Sequence, residues 1–499
     1  MEKKLVIIGA GIAGLSAGCY ARMNGYDVEI HESHTQPGGM CTAWKRGGYT
    51  IDGCLEWLVG SRPGSGELYS VWEELGAVQG KDYIYYDVYA DFHGRDGRRL
   101  HCYTDLERFE RHLVELSPRD VRAARSLCED IGALSKMRMP LGKPFELTSR
   151  WDDAKSVLRM APSLIPMARL GRLTLQQLGD RFSDPFLRSS FANCMNDPSE
   201  RALGILMVLG ILGSGTTGYM LGGSLEFART IERRFLDLGG RAVYGSRVTK
   251  VLERDGRATG VRLADGEEIA AERVVSACDM RTTLFSMLDG SRIDPVHREL
   301  LETGKLFPPI VHVAFGVGMD FSSEISCAGT FYELERPFEV AGRTITMMSV
   351  RNQCHDPSLA PPGKSVVIAM LNTDWSHWEP LLDDRAAYKA EKERIAAFVR
   401  EQIEQRKPGF TSKIEMTDVA TPVTWERYTG DWHGTYMTWI PTPSKPLIRM
   451  RKSVPGLADF YMASMWTNGP GGLPGAAQAG REVVQLMCRD DGKRFETSK

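Results

Sequence analysis

Three glycines near the start of the chain carry the first chemical signal. Gly9, Gly11 and Gly14, within Gly9-Ala10-Gly11-Ile12-Ala13-Gly14, follow the apolar run Leu5-Val6-Ile7-Ile8. That spacing suits a strand feeding a phosphate-binding turn. Gly9 takes the positive φ of a tight turn, Gly11 lets the backbone touch a diphosphate, and Gly14 lets the next helix pack closely on the strand. The helix, read over 12–24, offers unpaired N–H groups and the positive end of its dipole to an anion. Gly25 ends it and a second strand follows over 26–30. Glu32 then arrives about twenty residues after the turn, where a carboxylate accepts from a ribose hydroxyl. A further pair, Gly38-Gly39, followed by Met40, again permits close backbone approach to the same ligand. These parts, in this order, predict a dinucleotide site.

Side chains that could do chemistry themselves are fewer. There is no GxSxG nucleophile turn and no convincing Cys-His set. No two histidines have metal-ligand spacing, and His312, inside an apolar stretch, reads as a core residue. Glu56 and Trp57 lie in a Gly-, Ser- and Pro-rich stretch that reads as a surface loop anchored by a buried tryptophan. Tyr428, Trp432 and His433 lie in an aromatic-rich segment that either lines a cavity or forms core. Glu56 and His433 are the weak catalytic candidates.

The elements that must position these residues need a long chain. At 499 residues two or more domains are expected. Hydrophobic residues at 42% and charged residues at 25% are average for a globular protein, and a net charge of −2 gives no reason to propose a nucleic-acid partner. The ten cysteines include no CxxC pair, so reduced thiols, a cytoplasmic setting and no structural metal are expected. The longest nearly apolar run, 202–213, is too short to cross a bilayer. By contrast, 151–175 interleaves Lys155, Arg159, Arg169 and Arg172 with Leu, Ile and Met. This suits a segment lying on an anionic membrane surface, such as the inner face of the cell membrane; a core-facing helix broken at Pro162 and Pro166 is the alternative.

Alternation over 83–100 predicts a hairpin turning at 94–97, and 105–137 reads as helical. A second literal GxGxxG at 213–218 reads as a loop and not as a nicotinamide site, because no acid-terminated strand follows at the needed distance. A helix is expected after Ser224, a candidate N-cap, with a stop at Gly239-Gly240. Short strands are read over 242–250, 260–263 and 272–277, a strand over 310–317 and a helix over 384–405. The chain closes as it opens. A strand over 460–466 leads into the glycine loop 467–475 and a helix over 476–488, and Pro474 near the first turn loses no useful donor.

The stretch LVIIGAGIAGLSAGCYARMNGYDVEIHESHTQPGGMC resembles the N-terminus of the phytoene desaturase, carotenoid isomerase and retinol saturase family of FAD-dependent oxidoreductases, which shares its fold with amine oxidases. The resemblance implies an α/β fold: a discontinuous Rossmann-type FAD-binding domain (1–90, 219–290 and 441–499) with an inserted α+β substrate domain (91–218 and 291–440). It places FAD against Gly9, Ala10, Gly11, Ile12, Ala13 and Gly14, then Glu32, Ser33, Gly38, Gly39 and Met40. It also implies contacts at Val248, Ala277, Trp466, Gly471, Gly472, Leu473, Pro474 and Ala477. Family members often carry a basic residue where this chain has Met40, and they carry a stretch similar to 47–76 between cofactor domain and substrate cavity, which implies that Glu56 and Trp57 face substrate. The implied reaction passes hydride between substrate carbon and flavin N5 in desaturation, saturation or isomerisation of a long apolar polyene, retinoid or unsaturated lipid. A flavin amine oxidase and a non-catalytic lipid carrier on the same fold are the alternatives.

Overall fold

The computed structural model describes residues 2–136, 142–152, 155, 158, 167–195, 198–440, 450–469 and 471–497. Among these, two large sheets dominate. The first has a parallel centre built from Lys3–Ile8, Tyr26–His31, Arg241–Val243, Arg273–Ser276 and Leu457–Met462. Numbered by position in the chain, these five lie in the order 3-2-1-4-5, the doubly wound arrangement with a switch point beside the first strand. An antiparallel meander, Val248–Arg254, Arg257–Leu263 and Glu268–Ala270, extends its far edge.

Glycines let the helices on this sheet approach closely. Ile12–Met23 packs between Gly223–Asp237 and Gly472–Asp490. A Cβ at Gly480 would overlap the Ala13 carbonyl and the Ala17 amide, and one at Gly18 would press on the Phe235 ring. Ser16 Oγ donates to the Ala477 carbonyl at 2.7 Å and fixes the first and last helices in register.

The second sheet has seven strands: Ile414–Ala420, Ile310–Val317, Ser365–Asn372, Arg343–Arg351, Gly329–Val340, Val88–His93 and Arg99–Tyr103, in that spatial order. Val88–His93 runs across the expected domain join at 90 and pairs wholly within this sheet. The long helix Arg385–Arg406 covers one face through Ile395, Val399 and Ile403. The other face meets the hairpin Ala43–Arg46 and Tyr49–Asp52, where Tyr49 and Ile51 pack on Ala314, Val366 and Ile368.

Several local expectations need revision. The hairpin turning at 94–97 joins Val88–His93 to Arg99–Tyr103, whereas Tyr83–Ile84 leaves it and pairs with Thr217–Met220. The second GxGxxG therefore ends in a short strand and is not wholly a loop. Ser224 is not an N-cap. The helix begins at Gly223 with Gly222 as its cap, and the Ser224 hydroxyl instead donates to the buried Asp52 carboxylate and accepts from Leu55 N at 2.6 Å. The buried Asp52 carboxylate also accepts from Ser224 N at 2.7 Å, so it serves the helix end that the hydroxyl was expected to cap. The helix read over 105–137 is two helices, Leu106–Leu116 and Val121–Ser135, broken at Ser117-Pro118. The last helix starts at Gly472, four residues before the expected position.

Candidate cofactor site

The turn after the first strand forms as its glycines dictate. Gly9 has φ +98°, which a side chain would strain, and its N–H donates to the His31 carbonyl at 2.8 Å. A Cβ at Gly14 would overlap the Gly9 carbonyl oxygen. Gly11 differs from both. Its φ of −67° is open to any residue, and the nearest protein atom to a Cβ there is 3.9 Å away. Gly11 is also the N-cap of the first helix, and no side chain caps that helix end. The backbone of this chain therefore tolerates a side chain at Gly11, and the space in front of it and of the free helix N–H groups suits a bound diphosphate.

Glu32, 8% exposed, braces the turn from below. Its carboxylate accepts from Ala10 N and from His34 N, each at 2.7 Å, and from Ser33 Oγ at 3.3 Å. The second glycine pair docks beside the first: Gly38 N donates to the Ala10 carbonyl at 2.9 Å, and Gly38 pairs with Gly11 as an isolated bridge. Gly38 and Gly39 both have positive φ, and a Cβ at Gly38 would overlap the Cys41 carbonyl.

These parts face an open cleft at the carboxyl ends of the parallel strands. It holds about 1110 Å³ between protein atoms, its solvent mouth included. Gly9, Gly11, Ile12, Ala13, Glu32, Ser33, Gly38, Gly39, Met40, Val248, Ala277, Gly472 and Leu473 all line it. The sequence candidates Ala10, Gly14, Gly471, Pro474, Ala477 and Trp466 stand outside that lining. Ala477 faces the first helix. Trp466, 1% exposed, packs in an aromatic group with Trp439 and Trp432, and its indole N–H donates to Asp431 at 3.1 Å. The residues present fit a dinucleotide: an uncapped helix end, glycine backbone without obstructing side chains, and a buried acid in one cleft.

Two lining acids, Asp279 and Asp431, were not among the sequence candidates. Asp279 accepts from Arg281 N at 2.8 Å and Thr282 N at 3.1 Å, and its Oδ2 has no partner among the described residues. Burial, and after it the nearby Asp279 charge, pushes the Asp431 carboxyl up to about 7. Asp279 follows by two residues the strand read over 272–277, which was a usable signal. Asp431 comes from an aromatic-rich loop over 150 residues later, which was not.

The two catalytic candidates do not contact each other. Glu56 lies two residues beyond Cys54, which lines the cleft, and its carboxylate meets Arg351 Nη2 at 3.1 Å. Burial pushes that carboxyl up and the Arg351 charge pulls it back. His433, at φ +58°, stacks on Trp375 with ring centres 4.8 Å apart. Burial, aided by the Arg281 charge, lowers its ring to about 4. His312 is a core residue in the expected strand, accepting from Trp425 Nε1 at 3.1 Å. Among the described residues no group of His, Cys, Asp and Glu could hold a metal.

A family model described as flavin containing amine oxidoreductase matches residues 12–488. The chain is 24% identical to prolycopene isomerase 1, chloroplastic, of an Oncidium hybrid cultivar, over 98% of this chain and 83% of that protein. It is 22% identical to a lycopene-forming phytoene desaturase of Pseudescherichia vulneris, over 98% and 99%. Among solved structures, cyclohexylamine oxidase from Brevibacterium oxydans IH-35A superposes with a TM-score of 0.61 at 14% identity, over 99% of this chain and all of that one. That last likeness is one of fold.

Proposed function

The chain belongs to the flavin-containing amine oxidoreductase family, and from that premise we propose that it desaturates, saturates or isomerises a C–C bond of a long apolar, polyene-like substrate. It is an FAD-dependent oxidoreductase. FAD, when bound, supplies two-electron exchange with substrate carbon. The chain's own residues bind, orient and shield. Gly11 and the helix it caps hold the diphosphate, Glu32 the ribose, and the Gly472 helix end, with Leu473, the flavin side of the cleft. The parallel sheet and its helices (within 1–87, 219–290 and 441–499) act as the cofactor part, and 88–218 with 291–440 as the substrate part, since Val88–His93 pairs wholly in the second sheet.

The observation that carries the C–C reading is the extent of the likeness. It runs through 97–98% of the chain in the isomerases and desaturases, so it includes the substrate half as well as the cofactor turn. The amine oxidase reading asks for aromatic rings facing the flavin. Trp466, which the resemblance set against the FAD, is buried with its N–H engaged by Asp431. Product analysis of the purified holoenzyme against a polyene set and an amine panel tests the choice. Shifted double bonds in a polyene are expected; aldehyde and ammonia from an amine, with polyenes unchanged, would reverse it.

Such substrates dissolve in membranes, and contact through 151–175 is part of the proposal. No described helix is long and apolar enough to cross a membrane. Positions 153, 154, 156, 157 and 159–166, Arg159 among them, lie outside the described residues. Trp151 and Leu158 are 78% and 75% exposed, which favours a surface anchor. Arg169 pairs with the buried Asp130 and is less suited to bind lipid. Replacing Trp151 and Leu158 by Ser should lower flotation with anionic liposomes several-fold; equal flotation of both proteins would discard the anchor.

A further inference from the structure

Arg351 closes the strand Arg343–Arg351, and its side chain is only 5% exposed. Its Nη2 meets Glu56 at 3.1 Å and lies against Met370 Sδ, while Nε and Nη1 have no hydrogen-bond partner among the described residues. The register places it. His312 pairs with Met370 and Met370 with Ser349, so these three share a face; Arg351, two residues beyond Ser349, shares it too. This is the face with Ala314 and Ile368, turned towards the 43–52 hairpin and hence towards the cofactor half. His312 lies there with a similar surplus. Its Nδ1 accepts from Trp425, so the proton of the neutral ring sits on Nε2, which has no partner among the described residues. Burial, and after it the Arg351 charge, keeps that ring neutral, with its ionisation lowered to about 3.

Glu56 balances the charge of Arg351, so what remains over is three donor nitrogens: Nε and Nη1 of the guanidinium and Nε2 of the imidazole. A buried donor left unmatched loses the hydrogen bond that water gave it, and the loss is larger on a charged group. A hydrocarbon substrate would leave all three unmatched. Glu56 links this place to the cleft, since it follows Cys54 of the cleft lining by two residues. We propose that Arg351 and His312 form the recognition site for a hydrogen-bond-accepting oxygen, carbonyl or carboxylate, carried by the substrate. The substrate is then an oxygenated polyene-like molecule and not a pure hydrocarbon. This inference rests on the polyene reading above.

The test uses the FAD-loaded full chain and a matched C20 polyene series: hydrocarbon, aldehyde and carboxylic acid. Dissociation constants come from tryptophan quenching and, independently, from perturbation of the flavin band. The aldehyde or the acid should bind at least about tenfold more tightly than the hydrocarbon, because one charge-assisted hydrogen bond is worth that much. Arg351→Met should remove the preference while leaving hydrocarbon binding in place. Because that change strands the Glu56 carboxylate, the Arg351→Met/Glu56→Gln double variant is measured beside it, and Arg351→Lys should restore part of the preference. Equal binding of all three polyenes to the wild type, or a preference that survives in the variants, would overturn the oxygen site while leaving the polyene reading intact. If no polyene binds and amines bleach the flavin, both fall together.

Discussion

Gly11→Leu protein should purify folded and without FAD. Gly11 has ordinary helix-entry dihedrals, and a Cβ built there meets no protein atom within 3.8 Å, so the substitution carries little strain of its own. What a branched side chain would meet is the ligand, because Gly11 caps the free helix end at which the diphosphate is held. Flavin absorbance per mole of protein should fall from near one to near zero, with a far-ultraviolet spectrum like that of the wild type. Gly14→Leu serves as the contrast: a Cβ at Gly14 would overlap the Gly9 carbonyl, so that variant should lose the fold of the turn along with the flavin. A folded Gly11→Leu protein with full flavin would remove the diphosphate from this turn.

Asp491→Ala should be the most damaging single change outside the cleft, costing about 3 kcal/mol or more. Asp491 follows the last helix and its side chain is 2% exposed. It binds three neighbouring parallel strands at once: Lys3 Nζ at 2.6 Å, Tyr26 OH at 2.7 Å, and Arg273, itself 5% exposed. Removing it leaves Arg273 with Asp459 as its remaining carboxylate partner, at 2.7 Å. Lys3→Met, by contrast, removes a partner that is 42% exposed and should cost under about 1 kcal/mol. Burial would raise the Asp491 carboxyl, but hydrogen bonds from Lys3, Tyr26 and Arg273 outweigh it and hold it at about 2, below its ordinary 3.8. A depressed acid stabilises the fold above its unfolded ionisation range and loses that contribution as pH falls through the folded value. The gap between wild type and Asp491→Ala in denaturant midpoint should therefore be full at neutral pH and shrink between about 4 and 2. A gap independent of pH would show that Asp491 acts through packing and not charge.

What could be read from the residues alone divides by sequence distance. The turn at Gly9 to Gly14, the second strand and Glu32 form one unit of about thirty residues, in which backbone geometry dictates Gly9 and Gly14 and room for the ligand dictates Gly11. The strand Ile310–Val317 was legible as a short apolar run and the helix Arg385–Arg406 as a long stretch without Gly or Pro. Ser224 misled because its neighbour is Asp52, 172 residues earlier, whose buried carboxylate claims the hydroxyl that a local reading assigns to capping. Asp431 looked like one more loop acid, yet the fold brings it under the Trp466 indole and close to Asp279. Arg351 carried no signal at all. Its meaning depends on Glu56, 295 residues away, and on a sheet register that sets it on one face with His312. Local rules of backbone geometry thus reach the cofactor turn, whereas the chemistry of the substrate half is assembled by long-range pairing.

The most direct test of the account follows the flavin band of the purified holoenzyme under strict anaerobiosis, mixed with a polyene in both the oxidised and the reduced state of the cofactor, with chromatography of the polyene afterwards. A C–C oxidoreductase predicts that at least one state responds: bleaching of oxidised flavin with a more unsaturated product, reoxidation of reduced flavin with a more saturated one, or a cis–trans change in the polyene with the band returned to its start. A flavin indifferent to every polyene in both states, but bleached by an amine, would contradict it.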